Sequence, residues 1–115
     1  MIEAARVPAC GTPVDDFLCQ LERDGRDGRL RLADLAIRFE DFARTGTLQV
    51  PRELRDLRDG IREIKAGDVR VLFFDTACSS KPAVRLTNGF RKRTQKTPRR
   101  SIDQAMWVRG KDLRA

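Results

Sequence analysis

The sequence predicts an α+β domain with an N-terminal helical hairpin, an antiparallel sheet of three to four strands and a C-terminal helix. Three observations carry this. Apolar residues up to Ala43 recur at helical spacing, those between Ile61 and Asn88 fall into short β-prone runs, and those after Pro98 return to helical spacing. Strands grouped apart from helices give an antiparallel meander that carries helices, not alternating βαβ units.

The first eleven residues predict no more than an edge strand or a loose end. Thr12-Pro13 then has the form of a cap followed by proline at the first helical position. Asp15 and Asp16 sit in the first turn, where the helix dipole favours acids. Val14, Phe17, Leu18 and Leu21 form one apolar stripe, and Gly25 ends the helix. A second helix runs roughly from Arg29 to Arg44, with Leu32, Leu35, Ala36, Phe39, Phe42 and Ala43 on one face and Gly46 at its end. Core packing accounts for all of these residues.

Leu48 to Asp59, which holds Pro51 and many charges, predicts a connecting segment. Ile61–Ala66 and Val69–Phe74 predict two strands joined by the tight turn Gly67-Asp68. The loop Thr76 to Pro82 leads to a third strand, Ala83–Asn88. Thr97-Pro98 repeats the cap-plus-proline form ahead of a closing helix marked by Ile102, Ala105, Met106 and Arg109.

At 115 residues the chain is one domain, able to bury a core without crosslinks. No apolar run approaches membrane-spanning length, and the first residues lack the apolar stretch of a signal peptide. Cys10, Cys19 and Cys78 match no zinc spacing, and no histidine is present. Reduced, partly core-filling thiols in a cytoplasmic protein, with no metal or cofactor, are expected.

Charge is the most informative feature. Residues 1–75 carry a net −2, and residues 76–115 a net +9. Six of the ten residues from Arg91 to Arg100 are Lys or Arg. A single-sign block with no local acids points to a polyanion, of which nucleic acid is the commonest. Alternation sends Arg70 to the sheet face opposite Val69, Val71 and Phe73. Basic side chains on strands beside a basic loop then predict one groove suited to a phosphate backbone.

Leu57, Gly60, Glu63, Ile64, Arg70 and Phe74, followed by Asn88-Gly89-Phe90-Arg91-Lys92-Arg93-Thr94-Gln95-Lys96-Thr97-Pro98, resemble the phage-derived HigB-like branch of the RelE toxin superfamily. The resemblance covers roughly Leu30 to Arg109. Its signature Phe-x-Lys-Lys-Thr-x-Lys-Thr-Pro appears as Phe90, Lys92, Arg93, Thr94, Lys96, Thr97 and Pro98. It implies a compact toxin of a type II toxin–antitoxin pair that cleaves mRNA in the ribosomal A site. It also implies a cognate antitoxin, usually with a helix-turn-helix domain. The chain departs from the branch in having Val69 where tyrosine is usual and Lys65 where arginine is usual.

Cleavage of RNA by its own 2′-hydroxyl needs a base, cations around the phosphorane, and an acid for the leaving 5′ oxygen. With no His or Tyr in the chain, the proton-transfer candidates are Lys65, Lys92 and Lys96, with Glu63 as a further base. Neighbouring cations depress a lysine pKa, whereas guanidinium stays charged. Arg70 therefore stabilises the phosphorane, and Arg62, Arg91, Arg93 and Lys96 are assigned to phosphate binding. Competing readings stand beside these. Glu63 can equally be one half of a surface ion pair. Phe90 is more readily core than a stacking platform, and Trp107 is more readily a packing or antitoxin contact. A non-catalytic nucleic-acid or ribosome binder and a phage DNA-binding regulator remain the alternative functions.

Overall fold

The computed structural model describes residues 2–8, 11–45, 54–76, 83–92 and 97–114. It is α+β: two N-terminal helices, a five-stranded mixed sheet and a C-terminal helix. β1 is Ile2–Ala4, α1 Pro13–Arg23, α2 Gly25–Thr45 and β2 Leu54–Asp56; β3 is Arg62–Ala66, β4 Val69–Thr76, β5 Ala83–Arg91 and α3 Arg99–Arg114. The strand order is β1-β5-β4-β3-β2, antiparallel throughout except for the parallel pairing of β1 with β5. Both additions to the expected sheet are three-residue edge strands.

α1 starts at Pro13, but Thr12 does not cap it by accepting a backbone N–H. Its hydroxyl donates to the Asp15 carboxylate at 2.7 Å. Gly25, at φ +74°, turns the chain directly into α2, so the second helix begins four residues earlier than its apolar stripe indicates. The left-handed conformation at this corner is one that glycine adopts without a Cβ clash.

The sheet is covered on both faces. On one, Val14, Leu21, Leu35 and Phe42 of the hairpin pack on Leu54, Ile64, Ala66, Val69, Val71, Phe73, Val84 and Leu86. On the other, Ala105 and Val108 of α3 pack with Ala5, Val7, Ile61, Leu72 and Phe74. The alternation of β4 between these two clusters is the period-2 pattern expected of a strand buried on both sides. A bulge between Leu72 and Phe73 shifts the register against β5.

β5 runs three residues beyond the expected Asn88 and takes in the start of the signature segment. Asn88 is buried and donates from Nδ2 to the Ser101 carbonyl of α3 at 3.3 Å. Gly89 lies against the Phe17 ring of α1, and any Cβ there would collide with that ring. Phe90 packs beside the α3 cluster. Asn88, Gly89 and Phe90 are thus packing residues. Cys19 is an exposed thiol on α1 and does not fill the core, while Cys10 and Cys78 lie outside the described residues. Among the described residues no helix is long and apolar enough to cross a membrane.

Candidate nucleic-acid interface

The α3 side of the sheet holds the charged cluster. Leu54 of β2 turns into the hairpin core, so the next residue, Arg55, points to the α3 side. Arg55 pairs in register with Glu63, Lys65 with Arg70, and Arg70 with Phe90. Residues directly opposite on antiparallel strands share a face. Arg55, Glu63, Lys65 and Arg70 therefore form one patch across β2, β3 and β4. Lys92 adjoins it, anchored by its backbone N–H to the Asp68 carbonyl at 2.6 Å.

Arg70 is half-buried. Its guanidinium donates to the carbonyls of Gly67 at 2.6 Å and Val69 at 3.0 Å, which fixes it against the β3–β4 turn. Its Nε is buried and has no hydrogen-bond partner among the described residues. Burial pushes the Arg70 pKa down, with Glu63 and Asp68 opposing the shift. Burial is likewise the first cause holding Lys65 below the ordinary lysine range. Glu63 opposes that shift, and the positive potential of Arg70, Arg55 and Lys92 reinforces it. Lys65 is thus partly desolvated, with Arg70, Arg55 and Lys92 acting on it in one direction and Glu63 in the other.

Glu63 is not a surface residue. It is fully buried, and the Thr97 hydroxyl donates to its Oε2 at 2.7 Å, while Oε1 has no partner among the described residues. It sits beneath the cations as a fixed counter-charge. Thr97 was expected to cap α3, but the first helical bonds go to the Pro98 carbonyl, from Ser101 at 3.0 Å and Ile102 at 3.3 Å. The threonine side chain instead fastens the approach to α3 onto the middle of the sheet.

Two assigned phosphate ligands lie elsewhere. Arg62 is on the hairpin side, over the Phe73 ring at 5.5 Å, and is paired with Asp56 at 2.7 Å and Asp75 at 3.8 Å. Arg91 also turns to the hairpin side, bound to Asp24 at 3.1 Å, Asp27 at 2.7 Å and Asp68 at 3.2 Å. Its hydrogen bond to Asp27 raises the arginine pKa and lowers that of the aspartate. With acids around both, neither joins the patch. Arg93 and Lys96 lie outside the described residues.

The patch includes two residues that the sequence reading left without a role there. Arg55 stands in a stretch read as a connection because of Pro51 and its charges; the alternation of Leu54 and Arg55 was the available signal. Thr97 was visible in the signature, but its partner Glu63 is distant in sequence. Trp107 is exposed and carries Lys111 over its ring at 5.7 Å.

A cation-rich patch on the α3 side of the sheet, with the helical hairpin on the other face, defines an α+β protein with a concentrated positive surface. The chain belongs to the phage-derived Gp49-like protein family (DUF891), whose family model matches residues 30–107. That family is part of the RelE/toxin-like superfamily. A comparison with curated proteins finds no match.

Proposed function

We propose that this protein is a HigB-like toxin of a type II toxin–antitoxin pair and acts as a ribosome-dependent endoribonuclease on mRNA in the cytoplasm. The observation that carries the reading is the cross-strand pair Lys65–Arg70, flanked by Arg55 and Lys92, in a chain of a toxin-like family. Lys65, its pKa lowered by burial, takes the 2′ proton. The 2′ oxygen attacks phosphorus, and Arg70 and Lys92 hold the charge that grows on the phosphorane. The bond to the 5′ oxygen breaks as that oxygen receives a proton, for which Lys92 is the candidate donor. The products are a 2′,3′-cyclic phosphate and a free 5′-hydroxyl. Glu63 lacks the exposure to reach substrate and acts as the buried counter-charge.

The absence of His and Tyr favours a second reading, a nucleic-acid- or ribosome-binding protein without turnover. Induced expression in bacteria, with 5′-end mapping of cellular mRNA, separates the two. Growth arrest with cuts inside translated frames is expected. Normal growth at confirmed soluble expression would leave the binding reading in possession. A helix-turn-helix protein encoded beside the gene, restoring growth when co-expressed, is expected to be the antitoxin.

A further inference from the structure

A groove opens off the cation patch between the end of β2 and the start of α3. It is lined by Arg55, Asp56, Leu57, Arg58, Thr97 and Ile102 and has a volume of about 250 Å³. Two of its residues are shared with the patch. Arg55 acts electrostatically on both Lys65 and Arg70, and Thr97 is the residue bonded to Glu63. The long walls are aliphatic, since Leu57 and Ile102 are partly buried hydrophobics at the margin of the α3 core. The other charges around it are already matched: Asp56 pairs with Arg62 at 2.7 Å and Arg58 with Asp103 at 2.6 Å. Arg55 makes no ion pair with any described residue and is exposed at the mouth.

We infer that this groove is a nucleobase subsite: it receives the base of a nucleotide whose phosphate lies on the cation patch, with Arg55 bridging the two. The inference rests on the RNA reading above. Arg55 both lines the groove and acts electrostatically on Arg70, so a base whose phosphate lies on the patch beside Arg55 has the groove next to it. The volume is below the roughly 300–1,000 Å³ of clefts that bury drug-sized ligands, and is of the scale of one base. Paired charges at the rim and apolar walls favour sandwiching the base over reading its edge, so the subsite selects for the presence and size of a base more than for its identity.

The test compares binding of a short 2′-O-methyl RNA oligonucleotide, which 2′-hydroxyl attack cannot cut, with an abasic oligonucleotide of equal length. The abasic chain keeps every phosphate and loses every base. The wild-type protein is expected to bind the base-containing chain about five- to tenfold more tightly, the lower end of what stacking a base contributes. Ile102→Ala, which removes one aliphatic wall without adding an aromatic face, is expected to reduce that difference while leaving abasic binding and its salt dependence in place. Leu57→Ala removes the other wall and serves if the Ile102 variant fails to fold. Equal binding of the two oligonucleotides by the wild-type protein overturns the subsite and leaves the RNA reading standing. Discrimination that is undiminished in a folded variant lacking either wall also overturns it, because the base then sits elsewhere. Failure of both oligonucleotides to bind at low salt overturns the subsite, while the ribosome-dependent RNA reading is judged separately by the growth and 5′-end assays above.

Discussion

Lys65 and Arg70 are like charges set directly opposite each other, an arrangement that destabilises a sheet by roughly 0.2–1 kcal/mol. Lys65→Met should therefore stabilise the fold by a few tenths to about 1 kcal/mol in denaturant titration while abolishing toxicity. A loss of stability would show that the pair is not strained. The sign agrees with the depressed lysine pKa: its charged form is disfavoured in the folded state, so its contribution to stability improves as pH rises from the folded toward the unfolded pKa. Glu63 acts in the opposite direction and raises that pKa. Glu63→Gln should then let it fall further and move the ascending limb of the ribosome-dependent cleavage profile to lower pH; an unmoved limb would argue against Lys65 as the base. Arg70→Ala and Lys92→Ala should each reduce cleavage on the order of 10²–10³-fold, as for loss of an oxyanion contact. Arg100→Ala, on the exposed first turn of α3, should leave growth arrest intact. Full toxicity of both soluble variants would place the site elsewhere. Arg70 and Lys65 were legible because strand alternation fixes a side chain's face from sequence alone. Arg62 and Arg91 fall outside the patch, which the sequence could not show because their partners, Asp56, Asp75, Asp24, Asp27 and Asp68, are brought to them by tertiary pairing.

At the scale of elements, the helical hairpin is seated by β5. Gly89 admits the Phe17 ring, and Arg91 ties the α1–α2 corner through Asp24 and Asp27. Gly89→Ala should cost about 1–3 kcal/mol, the range for overpacking a filled core, because the ring must move. Phe17→Leu in the same chain should recover part of that loss, and an alanine variant as stable as the parent would disprove the contact. The long elements were legible since each carries its own periodicity: α1, α2, β3, β4 and α3 fall close to where apolar spacing puts them. The edge strands were not. β2 has three residues among charges, and β1 is defined only by its partner, with Ile2 beside Val84 and Ala4 beside Leu86.

At the scale of the whole molecule, β1, β5 and α3 are joined through a buried carboxylate. Asp112, its side chain only 2% exposed, accepts from the Arg85 guanidinium at 3.2 Å and from the Arg6 backbone N–H at 2.9 Å. Arg85 also reaches Glu3 at 3.3 Å. Arg85→Met should lower stability by about 2–3 kcal/mol, because it leaves a buried charge short of a partner, and should loosen α3 in hydrogen exchange before the hairpin. Simultaneous loss of protection in both would show that the clamp is not local. The parallel pairing of β1 with β5 has a temporal side as well. β1 precedes the other described strands in the chain, and the partner that satisfies its backbone is the last of them. Contacts so distant along a chain form slowly, since loop-closure entropy must be met first. The same late strand brings Phe90 beside Arg70 and leads directly to Lys92. On the proposed function, a growing chain carries its cations unassembled until Lys92 has been made, so the patch is complete only late in translation.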